Sequence, residues 1–393
     1  MTLFFPALAS TDTIGTPVNG KRVSVSIRTL IPEKMRQNFL TSLSFDESTH
    51  YESNGIEQVF IDCGAFHYVN EKVPKFKKGG YVNARSAIQH YLHRHSKRKN
   101  AAKSYLVCSP DHIIPPDMND EDSDNRTKWT IHVAKEFIQL CKEIPNFIPV
   151  GVVHGRNKNE RLTMVEEYLN LGYRYIAFGG LVPIARKESL VLEQIAGITD
   201  ATNPVIDRNS PLGIAIQNGC KTHMFGLNSP EWYRWWKRMG VTSFDGSKMS
   251  QEGAANGIIW SLNEFDEKSP PLTAKGLYTK TKIKNISERK WIKGKDGIYE
   301  LDVIADTNLD IRSPGWEFFQ NSLCMNINCK QSKFKHRPDP RTTGSVEHNM
   351  GRTIINAHVF ETLMQRVDNL VELADKSKSN DERYAAWRSI DCE

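Results

Sequence analysis

Two aspartates stand where hydrophobic runs end, a position from which a carboxylate can take part in chemistry. Asp62 closes the run Gln-Val-Phe-Ile-Asp and is followed by Cys-Gly-Ala; Asp245 closes Val-Thr-Ser-Phe-Asp and is followed by Gly-Ser. Small residues after each carboxylate leave room for a ligand. Two carboxylates at one site suit glycosidic-bond chemistry, with one as nucleophile and the other as proton donor and acceptor. The alternative is that each aspartate only caps the helix that follows it.

Other polar or glycine residues follow hydrophobic runs in the same way. They are Asp111, His154 and the pair Gly179 and Gly180. The carboxyl ends of the strands of a parallel barrel meet at one mouth, so these residues would share a site with the two aspartates. The glycine pair would expose backbone amides to a planar ligand, although it could equally serve a tight turn that needs a positive φ angle.

Short runs rich in β-branched and aromatic residues alternate with longer amphipathic runs, which predicts parallel strands joined by helices. The predicted strands are residues 22–29, 58–62, 104–109, 147–154, 173–180, 222–227 and 241–245. The predicted helices between them are residues 83–95, 128–144, 159–172 and 229–240. The polar strand ends favour an α/β fold of the (β/α)8 TIM barrel type. An open doubly wound sheet is the alternative, but no Gly-x-Gly-x-x-Gly follows the first strand.

The chain divides into a predicted barrel and an added segment. Residues 1–20 are predicted to be an N-terminal extension, and residues 21–270 together with 352–393 are predicted to form the barrel. Residues 271–351 are predicted to form a basic surface segment and a small lobe inserted before the last barrel helix.

The composition is that of a globular protein, with 39% hydrophobic and 25% charged residues among 393. No stretch reaches the about 20 apolar residues that a membrane-spanning helix needs. The formal net charge of +6 is compatible with a polyanionic partner. Seven scattered cysteines lack the spacing of a secreted disulfide scaffold, which predicts a reducing, cytoplasmic location.

Five blocks of the sequence occur in an order that a known family shares. Residues 62–67 (Asp-Cys-Gly-Ala-Phe-His) resemble Asp-Ser-Gly-Gly-Phe-Gln, and Asp111 with prolines close behind resembles a second recognition aspartate. Residues 151–156 resemble Gly-Ile-Val-Gln-Gly-Gly, residues 179–181 are Gly-Gly-Leu, and residues 224–245 resemble Met-Gly-Val-Gly-x-Pro followed by Phe-Asp. The ordered set, over about residues 57–260, resembles the tRNA-guanine transglycosylase superfamily, whose members exchange guanine for a 7-deazaguanine in nucleic acid.

The resemblance implies a role for each matching residue. Asp245 would be the nucleophile that attacks C1′ and forms a covalent glycosyl-enzyme, and Asp62 would be the general acid and base. Asp111 would accept hydrogen bonds from the base, while His154 and the Gly180 amide would face its carbonyl oxygen. The implied base-binding residues are Phe66, Asp111, His154, Gly179, Gly180, Leu181 and Met249, with Phe66 or Met249 stacking on the ring.

The departures from the family pattern concern the nucleic acid rather than the exchange. His154 and His67 stand where the family has Gln, and residues 246–252 replace an arginine-bearing segment that holds tRNA. This pattern resembles the DNA-guanine transglycosylase branch, so the expected function is insertion of a 7-deazaguanine of the preQ0 type into DNA. The basic runs at residues 74–78, 93–99 and 275–295 would contact phosphates. The alternatives are exchange on tRNA and a non-catalytic nucleic-acid-binding member.

The resemblance also implies a structural Zn²⁺ ion held by three cysteines and one histidine. The predicted ligands are Cys324, Cys329, His336 and His358. Asn326 occupies the middle cysteine position and is a poor zinc ligand. His336 is the preferred replacement because it lies close behind the cysteines, and His348 is the alternative. A metal-free lobe with two buried thiols is the remaining interpretation.

Overall fold

The computed structural model describes residues 2–7, 13–18, 21–26, 31–43, 56–77, 79–96, 102–200, 204–282, 291–293, 299–301, 346–377, 381–388 and 391–392. Its centre is a sheet of eight parallel strands. The strands are β1 (Leu3–Pro6), β2 (Asn38–Ser42), β3 (Gln58–Asp62), β4 (Ser104–Cys108), β5 (Phe147–Val153), β6 (Tyr175–Phe178), β7 (Lys221–Met224) and β8 (Ser243–Gly246). From β2 onward each strand pairs with the next in the chain, and β8 pairs with β1. A parallel bridge between Ala7 and Leu40 links the remaining edges, so the sheet is a nearly closed barrel.

Helices follow most of the strands, as in a (β/α)8 barrel, although among the described residues none lies between β2 and β3. They are α1 (Glu33–Gln37), α2 (Ala84–Ser96), α3 (Asp120–Lys142), α4 (Lys158–Leu171), α5 (Glu188–Ala196), α6 (Pro211–Gln217), α7 (Pro230–Arg238), α8 (Val346–Lys376) and α9 (Glu382–Trp387). Polar side chains start several of them: Asn157 accepts a hydrogen bond from the Glu160 amide, and Ser229 accepts one from the Trp232 amide. This architecture confirms the predicted α/β barrel.

Small pairs of strands lie outside the barrel sheet. Thr13–Val18 pairs with Lys21–Ser26, Ile258–Leu262 with Tyr278–Lys282, Trp291–Lys293 with Tyr299–Leu301, and Val205–Ile206 with Asp391–Cys392. The first three pairs are antiparallel. In the part of the chain that the structure describes, no helix combines the length and apolar character needed to cross a membrane.

The first two barrel strands differ from the prediction. Residues 22–29 were expected to form a barrel strand, but Lys21–Ser26 belongs to the antiparallel hairpin. Its alternation of valine with polar residues is typical of an antiparallel strand, whereas all five residues of β2 are buried. Residues 1–20 were expected to be an extension, yet β1 lies within them and pairs with β8.

The outer layer packs on the barrel through aromatic side chains. Trp235 and Trp236 of α7 are buried, and Trp232 stacks on Trp236 with ring centroids 5.1 Å apart. The Tyr233 hydroxyl donates to Asp368 of α8 at 2.7 Å. Helix α8 thus packs against α7.

Candidate active site

The carboxyl ends of the barrel strands bring the predicted chemical residues to one face. Asp62 ends β3, and Asp245 is the third of the four residues of β8. Asp111, His154 and Gly179 directly follow or lie just beyond β4, β5 and β6. We call this face, formed by the loops after the eight strands, the barrel mouth. Fold topology therefore explains why residues up to 183 positions apart in sequence converge.

Asp62 is held in a turn that Gly64 makes possible. The Gly64 amide donates to Asp62 Oδ2 at 3.1 Å, and Gly64 has a left-handed φ of 81° that disfavours other residues. Burial raises the pKa of Asp62 from 3.8 to about 7, and the negative charges of Asp111 and Asp245 add to the increase. Near neutral pH both protonation states of Asp62 are populated, which suits a group that must donate and accept a proton.

Asp111 lies in a pocket of polar groups near Asp62. Its Oδ1 accepts a hydrogen bond from the Cys63 thiol at 2.9 Å, and its Oδ2 lies 2.5 Å from His154 Nε2. Each carboxylate oxygen has two lone pairs, so both retain the capacity to accept a bond from a ligand. Burial raises the pKa of the Cys63 thiol well above its usual value, so Cys63 is a donor rather than a thiolate nucleophile.

His154 is packed against the glycine turn after β6. A Cβ atom at Gly179 would come 2.5 Å from His154 Cε1, so only glycine fits there. The buried Arg161 donates to the Gly179 carbonyl at 2.9 Å and holds the turn. His154 Nδ1 is buried and has no hydrogen-bond partner among the described residues. With Nε2–H donated to Asp111, a neutral imidazole offers only a lone pair at Nδ1, so donating to a base carbonyl would require the imidazolium form.

Asp245 is 7% exposed and is bound on one side only. Its Oδ1 accepts a hydrogen bond from the Gly226 amide at 2.9 Å and lies 3.3 Å from His223 Nε2. Within the described ranges, Oδ2 has no hydrogen-bond partner. The carboxylate is thus fixed through one oxygen while the other is available to a ligand.

Two of the predicted base-binding residues are buried in the core. Leu181 and Met249 are both 0% exposed and belong to the hydrophobic cluster that also contains Phe244 and Trp260. Phe66, by contrast, is 81% exposed on the turn that follows Asp62. Of the two side chains predicted to stack on a base, the structure exposes Phe66 and not Met249.

A cavity of about 520 Å³ opens among the loops that follow β6, β7 and β8. Its lining residues are Ala185, Arg186, Glu188, Ser229, Glu231, Trp232, Lys248, Lys275, Tyr278 and Lys280. Burial and the charges of Lys280 and Lys275 lower the pKa of Lys248. The cavity therefore carries positive charge, and one of its lysines, Lys248, follows Asp245 by three residues in the sequence.

The two acidic residues of this cavity are already engaged. Glu188 accepts a hydrogen bond from the Trp235 indole at 2.7 Å. Glu231 accepts one from the Lys275 amide at 2.7 Å and lies 3.3 Å from Arg234. Arg234 offsets the charge of Glu231, whereas Lys280 is itself paired with Glu252 at 2.6 Å. Among the described residues, the lining cations without such an ion pair are Arg186, Lys248 and Lys275, and these determine what anion the cavity attracts.

Most of the predicted zinc ligands lie outside the described residues. Cys324, Cys329 and His336 lie outside the described residues, and the side chain of the alternative ligand, His348, does too. His358 lies in α8. Among the described residues, no group of three or more His, Cys, Asp or Glu side chains is placed to hold a metal. A donor set of two thiolates and two imidazoles suits zinc, and the site stays a prediction.

His223 is a residue of the site that the sequence analysis missed. It lies on β7, where its Cα partner on β8 is Ser243, two residues before Asp245. The sequence signal was the alternation of side chains along a strand, with a period of two residues. It places residues 243 and 245 on one face of β8, beside residue 223 of β7.

Comparison with known proteins supports the same family resemblance as the geometry of the site. No protein-family model matches the chain. The chain is 27% identical over 279 residues to a DNA-guanine transglycosylase of Salmonella montevideo. The match covers 68% of this chain and 58% of the relative, so the chain spans little more than half the length of that protein. This similarity confirms the resemblance of the chain to the guanine transglycosylase superfamily and, within it, to the DNA-guanine branch.

Proposed function

We propose that the protein is a glycosyltransferase that exchanges guanine in DNA for a 7-deazaguanine base. The observation that carries the proposal is the arrangement of three aspartates at the barrel mouth. Asp245 offers one unbonded oxygen, Asp62 has a pKa near 7, and Asp111 lies in a pocket of hydrogen-bonding groups. These are the requirements for a nucleophile, a proton shuttle and a base-recognition group.

In the first half of the proposed reaction, Asp245 Oδ2 attacks C1′ of the target nucleotide. The C1′–N9 bond breaks, its electron pair stays with guanine, and protonated Asp62 gives guanine a proton. A covalent aspartyl-glycosyl intermediate results. A deoxyribosyl centre lacks the electron-withdrawing 2′-hydroxyl, so its glycosidic bond ionises more readily than that of RNA.

In the second half, the incoming base reverses these steps. Its N9–H proton passes to the now ionised Asp62 while N9 attacks C1′ and displaces the Asp245 carboxylate. One residue must therefore lose and regain a proton in each cycle, which explains the value of a pKa near 7 at Asp62. Asp111, with lone pairs on both oxygens, would accept bonds from the N–H groups of the guanine-like ring.

The surface around the mouth supports a nucleic-acid substrate. C1′ of a stacked nucleotide is inaccessible, so the target must leave the helix, at a cost of a few kcal/mol. The exposed Phe66 beside Asp62 offers an aromatic face to an unstacked base. In many TIM barrels a phosphate site lies in the loops after strands 7 and 8, and here those loops contribute Ser229 and Lys248 to the cationic cavity.

The choice of DNA over tRNA rests on the named activity of the relative and on the altered segment after Asp245. It is tested by incubating the protein with radiolabelled guanine and, separately, single-stranded DNA, duplex DNA and tRNA. We expect uptake of label into DNA that falls steeply with added salt, and little into tRNA. Robust labelling of tRNA with inert DNA would contradict the choice of polymer, and no labelling of any polymer would favour a non-catalytic binding protein.

The cationic cavity predicts a local weakening of DNA binding. Lys248→Ala and Lys275→Ala should each weaken binding of single-stranded DNA about 3- to 10-fold and reduce the slope of log K against log salt by about 0.7, because each would remove one phosphate contact. Fluorescence anisotropy titrations across a salt series measure both quantities. Lys135→Ala, which removes an exposed lysine from α3, is the matched control. Unchanged slopes in both cavity variants would exclude the cavity from DNA binding.

The zinc proposal predicts about one tightly held equivalent of metal per chain. Cys324→Ser and His358→Ala should each lose the metal and lower the thermal stability, because metal binding contributes to folding. Elemental analysis with a melting curve tests this. Comparison of His336→Ala with His348→Ala then identifies the fourth ligand, and well-folded wild-type protein without zinc would refute the site.

A further inference from the structure

A buried chain of polar groups extends from Asp245 into the barrel interior. His223 Nε2 lies 3.3 Å from Asp245 Oδ1, and His223 Nδ1 lies 2.8 Å from the Ser243 hydroxyl. The Ser243 hydroxyl lies 2.7 Å from the hydroxyl of Tyr175. Strands β6 and β7 supply one member each, Tyr175 and His223, and β8 supplies two, Ser243 and Asp245.

His223 is enclosed by aromatic rings as well as by this polar chain. It is 0% exposed, and its ring centroid lies 4.2 Å from that of Phe60 and 4.7 Å from that of Phe225. Burial lowers the pKa of His223, although the Asp245 carboxylate acts in the opposite direction. Among the described residues, the titratable groups that interact electrostatically with these polar groups are Asp62, which faces Asp245, and Cys108, which faces Tyr175 and Asp245; neither is a cation that would compete for the carboxylate. A neutral imidazole with one N–H follows.

The position of that one proton is determined by the carboxylate. If it were on Nδ1, the lone pair of Nε2 would face the negatively charged Asp245 oxygen, which is repulsive. With the proton on Nε2, His223 donates to Asp245, Ser243 donates to Nδ1, and Tyr175 donates to Ser243. The Thr222 carbonyl is a competing acceptor for the Ser243 hydroxyl, but at 3.5 Å it is more distant than Nδ1.

We propose that His223 is a positioning residue for Asp245, whose carboxylate selects the Nε2–H tautomer while Ser243 and Tyr175 hold the ring from the Nδ1 side. This inference rests on the proposed function. Together with the Gly226 amide, His223 occupies Oδ1 and leaves Oδ2 as the oxygen that bonds to C1′. The same donor stabilises the carboxylate when the incoming base displaces it, so the two half-reactions use one fixed geometry.

Two substitutions of similar size separate positioning from simple packing. His223→Gln retains an amide N–H that can reach Asp245, whereas His223→Leu retains only apolar volume. If His223 only filled space among the aromatic rings, His223→Leu would be the more stable and the more active of the two variants. The positioning role predicts that covalent adduct formation with DNA falls about 100-fold in the leucine variant and about tenfold or less in the glutamine variant, since small misplacements of a reacting group are costly. Leucine matching wild type in rate would overturn the proposal.

A spectroscopic measurement tests the tautomer without any need for activity. Two-bond ¹H–¹⁵N spectra of histidine-labelled protein distinguish the two neutral tautomers, and the signals missing from His223→Gln identify His223. We expect the Nε2–H tautomer in wild type and in Ser243→Ala, because the carboxylate that selects it remains, while loss of the hydroxyl should change the ¹⁵N shift of Nδ1. An Nδ1–H tautomer or an imidazolium in wild type would overturn the proposed positioning role of His223. If wild type shows the expected tautomer but forms no DNA adduct, the proposed exchange is refuted while the hydrogen-bonded chain from Tyr175 to Asp245 stands.

Discussion

Asp245→Ala is expected to abolish base exchange, with a fall of about 10⁴-fold or more, together with all covalent adduct formation. The reason is geometric. Within the described residues Asp245 is the carboxylate at the mouth that is held by an amide and an imidazole on one oxygen and unbonded on the other. Asp62 sits in an environment that favours its protonated form, which makes it a poor substitute nucleophile.

The measurement for Asp245→Ala is single-turnover release of guanine from DNA, with binding measured separately by anisotropy. Binding should stay within about threefold of wild type, because a carboxylate near the phosphate backbone contributes little or unfavourably to affinity. Asp124→Ala removes an exposed aspartate of α3 and is the matched control. Guanine release at the wild-type rate by Asp245→Ala would require another nucleophile.

Asp62→Asn is expected to bind DNA normally and to lose about 10²- to 10⁴-fold in turnover, because the amide keeps the shape but transfers no proton. In wild type the two half-reactions should have opposite pH dependence. Guanine release needs protonated Asp62 and should decline above about pH 7, while attack by the incoming base needs the ionised form and should decline below it. Both dependences should disappear in Asp62→Asn; weak binding with normal turnover would reverse the assigned roles.

Asp62→Asn should lower turnover but raise the melting temperature of the protein at pH 8. Between the ordinary pKa of 3.8 and the folded value of about 7, the folded protein binds a proton that the unfolded chain does not. Wild-type stability therefore falls as pH rises through this window. The amide side chain of the Asp62→Asn variant does not titrate, so this variant should melt higher than wild type at pH 8, by about 3 °C or more, and the difference should shrink toward pH 4. Melting curves across pH measure this gain; an equal difference at all pH values would contradict the raised pKa.

The strands β3 to β6 could be predicted because they are rich in β-branched, aromatic and other apolar residues that are largely buried in a parallel sheet. Strands β7 and β8 contain fewer such residues, and apolar neighbours in the sequence marked their positions. β1 was missed because Leu3–Pro6 is only four residues long and ends in proline, which made it resemble an extension. β2 was missed because α1 leads directly into it, and no glycine or proline marks the junction between Gln37 and Asn38.

The site was predictable to the extent that strand ends identify a barrel mouth. Asp62, Asp111, His154 and Asp245 lie where that rule places them. The pairing of His154 with Asp111 was not predictable, because it depends on how closely β4 and β5 bring two loops together. The burial of Met249 was not predictable either, since it depends on the packing of α8, whose residues are about a hundred positions away.

Peptide mapping of the trapped protein–DNA adduct identifies the residue that bonds to C1′. Protein is incubated with guanine-containing single-stranded DNA without added base, denatured, digested, and analysed by mass spectrometry. We expect a deoxyribose joined through C1′ to a peptide at Asp245, with guanine absent from that nucleotide. An adduct on any other residue, or incorporation of labelled guanine into DNA with no adduct at Asp245, would contradict it.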